Sequence, residues 1–209
     1  MKSVVTLVAT SVLLAFSVQA EVLTDNKQTN LFGISFKSSN FGDDLSKAFP
    51  GDALKDLDEE FTSLGLHWGT VSQRNANQTT SRYVFLDYGK TEVPVNALLG
   101  TAKIDRQLAI IGVGRNLQHN LNDLFYLKGG AELGLYNDKL TVQSRSVFGS
   151  SAQGDVKNTG ALLAGYAAAG LMVSPKWDLE LGVKYQYFAG NDKVFDSATQ
   201  VFFGVNYNY

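Results

Sequence analysis

The chain has 209 residues, with 18 Lys and Arg against 20 Asp and Glu, and it contains no cysteine. A formal charge of −2 with no clustered basic residues excludes a nucleic-acid footprint, and the lack of thiols means that the fold closes by its own hydrogen bonds and packing. Twenty glycines, only 3 prolines and 11% aromatic residues point to long strands and away from linkers or disorder.

The chain opens on a positive residue, Lys2, followed by an apolar run from Val4 to Val18 interrupted by Thr6, Thr10, Ser11 and Ser17. Ser17-Val18-Gln19-Ala20 ends the run with a small-x-small pattern, and the chain turns polar at Glu21. This is the layout of a cleaved secretory signal over residues 1–20, with 21–209 as the mature domain. The alternative, an uncleaved anchor helix, needs a longer apolar stretch to span a bilayer. Loss of the single charge on Lys2 would take the formal charge from −2 to −3.

No helix-spanning apolar run follows Ala20; period-two alternation takes its place. Phe32, Ile34 and Phe36 alternate with Gly33, Ser35 and Lys37, and Leu64, Leu66 and Trp68 with Gly65, His67 and Gly69. Val84, Leu86 and Tyr88 oppose Tyr83, Phe85 and Asp87; Ala109, Ile111 and Val113 oppose Ile110, Gly112 and Gly114. Leu127, Gly129, Ala131, Leu133 and Leu135 alternate with Lys128, Gly130, Glu132, Gly134 and Tyr136. Ala161–Val173 also fits a buried helix, but its three glycines and its neighbours favour a strand. The alternation is cleanest from Trp177 to Phe188, where Trp177, Leu179, Leu181, Val183, Tyr185 and Tyr187 share one face and Asp178, Glu180, Gly182, Lys184, Gln186 and Phe188 the other. At the end of the chain, Thr199, Val201, Phe203, Val205, Tyr207 and Tyr209 form one face. Eight strands are predicted, over 30–37, 60–70, 82–89, 106–115, 124–136, 158–172, 176–188 and 198–209.

Three features select a transmembrane barrel over a water-soluble one. The apolar face reads as free of charge in every strand, whereas Lys37, Asp87, Lys128, Glu132, Asp178, Glu180 and Lys184 all lie on the opposite face. That opposite face is rich in glycine, which suits a narrow eight-stranded interior. Aromatic residues gather at the strand ends: Trp68, Trp177, Tyr207 and Tyr209 at one rim, and Phe36, Tyr88, Tyr185 and Tyr187 near the other, as two interfacial belts require. The expected fold is all-β: an eight-stranded antiparallel transmembrane up-and-down β-barrel. With both ends periplasmic, the connections at 38–59, 90–105, 137–157 and 189–197 are external, and those at 71–81, 116–123 and 173–175 are periplasmic.

A signal segment, eight alternating strands and a final strand Val201-Phe202-Phe203-Gly204-Val205-Asn206-Tyr207-Asn208-Tyr209 together resemble the small outer-membrane β-barrel proteins of Gram-negative bacteria, the OmpA-like transmembrane domain and OmpX/Ail type. The resemblance is one of architecture over the whole mature chain. It implies residence in the outer membrane, contact with its lipid and lipopolysaccharide, and recognition of the last strand by the barrel-assembly machinery. By that analogy Val201, Phe203, Tyr207 and Tyr209 carry the assembly signal, with Tyr209 in place of the family's usual terminal Phe.

Motifs for catalysis are absent. His67 and His119 are the only histidines, no His-x-Ser is present, and neither a Gly-x-Ser-x-Gly nor a phosphate-loop pattern occurs. A lipid A-modifying enzyme is therefore the weakest reading, and no cofactor is implied. Lys128 and Glu132 lie two lumen positions apart, and Glu180 and Lys184 repeat the spacing with the signs reversed. These charges suit a salt-bridge plug, with a narrow path for ions or small solutes as the alternative. The first external connection is acidic (Asp43, Asp44, Asp52, Asp56, Asp58, Glu59, Glu60), and Leu54, Leu57 and Phe61 have helical spacing. A solvated acidic face is favoured there over a divalent-cation site, because no calcium-type ligand loop is present. The leading expectation is a non-enzymatic envelope protein that acts through its external loops on a surface ligand.

Overall fold

Every period-two segment becomes a strand in the computed structural model, which describes residues 28–41, 60–97, 100–146, 151–190 and 196–209. The strands are β1 (Gln28–Phe41), β2 (Glu60–Asn75), β3 (Gln78–Ala97), β4 (Gly100–Asn120), β5 (Phe125–Ser146), β6 (Ser151–Met172), β7 (Trp177–Gly190) and β8 (Ser197–Asn208). Each pairs antiparallel with the next, and β1 pairs with β8, so the sheet closes into an eight-stranded up-and-down transmembrane barrel. Asn30 and Tyr209 exchange two backbone hydrogen bonds of 2.8 and 3.0 Å at the seam. Closure leaves the lipid-level backbone no unpaired edge, a necessity where no water can satisfy it.

The faces follow the alternation. Leu181 is 60% exposed and Val183 54%, while Glu180 and Lys184, which flank them in sequence, are 7% and 4% exposed. Apolar side chains therefore point outward and ionised ones inward, the reverse of a water-soluble barrel. Trp68, Phe32, Tyr207 and Trp177 occupy one continuous register row across β2, β1, β8 and β7. The Trp177 and Tyr207 rings lie 4.7 Å apart, and Tyr207 stacks on Tyr209 at 5.7 Å. Near the opposite end, Phe36, Leu64 and Tyr88 form a row, and Tyr185 is 57% exposed.

The connections on the terminal side are tight and closed by polar side chains. Asn75 Oδ1 accepts from the Asn77 N–H, Asn122 Oδ1 accepts from the N–H groups of Leu124 and Phe125, and Ser174 Oγ accepts from those of Lys176 and Trp177. These are the local side-chain turns that Asn and Ser favour.

Four predicted connections lie mostly within strands. The 71–81 segment is a hairpin whose strands run to Asn75 and Gln78, and 116–123 shrinks because β4 reaches Asn120. On the other side, most of 90–105 and 137–157 belongs to β3, β4, β5 and β6. The sequence boundaries were set where apolar alternation stops, but beyond the lipid both faces are wet and the ladder continues with polar residues on each. Residues 1–27, including the expected signal, lie outside the described residues, as do Leu54, Leu57 and the acidic residues from Asp43 to Glu59. Phe61, grouped with them by helical spacing, belongs to β2 and is buried inside the barrel.

Orientation sets a stability prediction. Leu181→Lys, in the middle of the apolar band, is expected to destabilise the barrel by about 2–4 kcal/mol, whereas Thr199→Lys near the outer rim should cost about 0–1 kcal/mol. Reversible denaturant unfolding in phospholipid vesicles would measure both, and equal small costs at the two positions would contradict the assigned lipid face.

Candidate functional site

The ionised side chains of the lumen come from alternate strands: Lys37 from β1, Asp87 from β3, Lys128 and Glu132 from β5, and Asp178, Glu180 and Lys184 from β7. All seven are buried. Each ion pair reaches across the strand between its partners. Lys37 Nζ lies 2.5 Å from Asp87 Oδ1 over β2, where Gly65 makes room. A Cβ added at Gly65 would come within 2.6 Å of both Asp87 Oδ1 and Lys37 Cε. Across β6, Lys184 Nζ lies 2.7 Å from Glu132 Oε2, and Lys128 pairs with Glu180. The β6 residues in register with these four are Ala164, Ala168, Gly170 and Tyr166, three of them small.

The ion pairs thus form between strands and not along one. Four residues of a strand span about 13 Å, too far for Lys128 to meet Glu132 directly. Small residues on the intervening strand bring β5 and β7 side chains together instead.

Neutral donors complete the carboxylates. Tyr83 donates to Glu132 Oε1 at 3.0 Å, and its hydroxyl lies 3.1 Å from that of Tyr166, to which Asn116 Nδ2 donates at 2.9 Å. Asp178 accepts from Tyr126 and Asn206, each at 2.6 Å, and from Asn208 at 3.3 Å. The network lines a cavity of about 40 Å³ beside Lys37, Asp87, Lys128, Glu132, Glu180 and Lys184, room for a few waters. His67 points inward and, with Asn206, covers Gly33, where a Cβ would sit 2.2 Å from the imidazole. His119 lies at the terminal-side end of β4 and not in a turn.

Two features of the interior were not anticipated. The end of the lumen away from the chain termini is dry: Phe41, Phe61, Phe85, Ile110, Leu162 and Phe188 belong to one buried cluster. Within it Arg106 pairs with Asp138 at 3.0 Å, both side chains 2% exposed, and the guanidinium lies 3.9 Å from the centre of the Phe41 ring. Asp138 had been assigned to a loop. Carrying the inward parity of Glu132, Gly134 and Tyr136 one step further would have found it.

The apolar face also carries charge after all. Arg82 and Arg115 share the outward parity of Val84 and Val113, and they are direct register partners at the terminal-side rim. The predicted uniform absence of charge holds through the centre of the band and fails at this edge, where side chains can reach the headgroups.

Beyond the band, β3, β4, β5 and β6 continue as a four-stranded wall. β3 and β4 pair up to Ala97↔Gly100 and β5 and β6 to Arg145↔Ser151, whereas β2 pairs with β3 only as far as Ser63↔Gly89 and β7 with β6 only to Gly160↔Gly190. The β3 margin carries Pro94, which has no N–H to offer an added strand. Exposed charges alternate on the wall: Glu92 accepts from Lys90 and Lys103, each at 2.8 Å, and Lys139 lies 3.8 Å from Asp155. The hydrogen bonds from Lys103 and Lys90 hold the Glu92 carboxyl down to about 2.

No family model matches the chain, and no curated relative matches it. Solved structures do. Neisserial surface protein A superposes with a TM-score of 0.54 at 14% identity, over 89% of this chain and the whole of that one. Ail, the attachment invasion locus protein of Yersinia pestis, aligns at 0.48 and 14% identity over the same shares, and the N-terminal β-barrel domain of Pseudomonas aeruginosa OprF at 0.39 and 13% over 88% of this chain. At 14% identity the likeness to Neisserial surface protein A shows the fold alone, that of a small outer-membrane barrel.

The crossed ion pairs make a prediction. Lys184→Met strands Glu132 in the interior and should cost about 3–5 kcal/mol, whereas Lys184→Met combined with Glu132→Leu should recover most of that loss. Unfolding of the two singles and the double measures the coupling, and strictly additive losses would show that the pair does not act as a unit.

Proposed function

We propose that the chain is a non-enzymatic outer-membrane barrel with a closed lumen, whose role is exercised by its external surface, chiefly the wall of β3 to β6. The observation that carries this reading is the filled interior. Three crossed ion pairs and a layer of tyrosines occupy the level of the charges, and the aromatic cluster with Arg106 and Asp138 occupies the level beyond. A cavity of about 40 Å³, lined by the paired charges together with Phe85 and Phe202, suits a plug better than a route for solutes. The wall, by contrast, offers strand margins and a mixed-charge surface of the kind that extended partners dock against. Short connections on the terminal side and long hairpins on the other support placing the wall outside the cell.

Two measurements on the intact protein test this reading. Reconstituted into planar bilayers, it should give no stable single-channel steps; sustained, reproducible conductance would favour the narrow-pore alternative. Because the natural chain has no cysteine, Lys103→Cys and Asn77→Cys can each be probed on whole cells with a membrane-impermeant maleimide. Lys103→Cys should label and Asn77→Cys should not, and the opposite pattern would invert the assigned topology.

The last strand completes the proposal. Val201, Phe203 and Tyr207 share the outward face of β8 at the seam with β1, and Tyr209 follows just beyond the strand against Asn30, where a closing strand can be read by an assembly machine before the barrel seals. Deleting Tyr209 should lower the amount of folded barrel in the outer membrane several-fold, and Tyr209→Phe should not. An unchanged yield of the heat-modifiable folded form after the deletion would remove Tyr209 from that role.

A further inference from the structure

On the outward face of β5 and β6 the register stacks side chains by kind. Leu135 faces Ala161, Asn137 faces Thr159, Lys139 faces Lys157, and Thr141 faces Asp155. Each pair lies a step of about 6–7 Å along the strands beyond the one before it. Going outward from the lipid band, the order is therefore apolar, neutral polar, basic, then neutral and acidic. The lysine pair stands two steps beyond Leu135 and Ala161, where the strands leave hydrocarbon, and long side chains there can reach back to the headgroups.

Lysines directly opposite each other repel, and the chain does not neutralise both. Among the described residues, the outward ionised groups of the wall are Lys90, Lys103, Lys139 and Lys157 against Glu92, Asp105 and Asp155. Glu92 pairs with Lys90 and Lys103, Asp105 with Lys103, and Asp155 with Lys139. Lys157 is left without an ion-pair partner. The contact between Lys139 and Asp155 is 3.8 Å long with side chains 40% and 42% exposed, so it holds Lys139 loosely. Asp155 also stands one step further from the lipid than the lysines, so an anion that approaches from the membrane side meets the two cations first.

Toward the lipid, the same strands border a surface groove of about 600 Å³ that crosses β3 to β6, with Leu86, Ala109, Ile111, Leu135, Asn137 and Thr159 among its walls. Its apolar part suits an acyl chain. The exposed Asn137 amide and Thr159 hydroxyl offer neutral donors between that part and the lysines. A free phosphate would use the lysines alone, whereas a phosphorylated lipid uses lysines, donors and groove together.

We propose that Lys139 and Lys157 hold a phosphate of one lipid A molecule of the outer leaflet, with Asn137 and Thr159 beneath it and an acyl chain in the groove beside Ile111 and Leu135. The choice of lipid A over a glycerophospholipid rests on the external placement of the wall proposed above; the site itself rests on the register, the unpaired lysine and the groove.

Native mass spectrometry of the purified full-length barrel, titrated with lipid A in detergent, tests the site. The wild type should retain one lipid A, and the Lys139→Gln/Lys157→Gln double variant should bind it about tenfold more weakly. Asp155→Asn, which releases Lys139 from its carboxylate, should bind at least as tightly as the wild type. Lipid A stripped of its phosphates should be held by the wild type as weakly as intact lipid A is by the double variant. Lys176→Gln, at the opposite end of the barrel, should leave retention unchanged. The heat-dependent mobility of each variant in detergent gels reports whether its barrel has folded. Equal retention by the wild type and a folded double variant overturns the site, as does equal retention of lipid A with and without phosphates. Preferential retention of phosphatidylglycerol overturns the assignment to lipid A. Inverted cysteine labelling would overturn that assignment through the topology, whereas a wrong site would leave the labelling as expected and the retention indifferent to both lysines.

Discussion

The structure depends on a single constraint, that a backbone crossing hydrocarbon must satisfy its own hydrogen bonds. A sheet meets it only by closing on itself, and the pairing of β1 with β8 achieves that. Closure then divides each strand between two solvents, because successive side chains point to opposite faces. Leu181 and Lys184 lie three residues apart in sequence and differ in exposure by 60% against 4% for that reason. At the level of the hydrocarbon, charge could be stored only on the inner face, and the inner face of eight strands is narrow. The pattern of the lumen follows from that narrowness.

Within the lumen, glycine and alanine matter as much as charge. A lysine and a carboxylate on neighbouring strands would crowd one wall and leave the centre empty. Placing them one strand apart, over Gly65 on β2 and over Ala164, Ala168 and Gly170 on β6, lets both side chains meet above the intervening strand. Aromatic rings use the same device: Tyr126 lies over Gly170 and Tyr83 over Gly114, positions where a Cβ would fall 1.9 and 2.4 Å from the ring. Small residues on one strand are the sockets for large residues on the next, which is how an interior that holds so many ionised groups is packed with little free volume. The carboxylates are tied further by tyrosine and asparagine donors, so removing one cation would expose a group already deprived of water.

What the sequence made legible follows from how local the evidence was. Period two is a property of a few consecutive residues, so the faces of all eight strands could be read from Phe32, Leu66, Leu86 or Leu181 and their neighbours. Strand ends could not be read, because outside the lipid nothing forces alternation: Ser72, Thr79 and Thr80 pair as regularly as Leu66 and Leu86 do. Asp138 and Arg106 were missed as partners for this reason, one assigned to a loop and the other to the first position of a strand. The partners of Lys128 and Glu132 were hidden for a second reason. They lie 52 residues away, and which of them meets which depends on the register between strands, which is set by the closed barrel as a whole. Arg82 and Arg115 were visible by parity alone, yet their adjacency depends on the same register.

The two ends of the molecule are built on different terms. Toward the chain termini the strands are joined by turns of a few residues, the aromatic row is continuous across β7, β8, β1 and β2, and Arg82 and Arg115 lie a step beyond its level, as suits a membrane interface. Away from the termini the barrel becomes asymmetric: β1, β2, β7 and β8 stop near the rim while β3 to β6 continue into water. A barrel needs no such extension for its own closure, and the exposed ladder of Lys90, Glu92 and Lys103 adds little to the stability of the fold, because solvent screens it. Length that serves neither closure nor burial has to be explained by what it presents to the surroundings. On the function proposed above, the wall and the rim are the surfaces through which this protein acts.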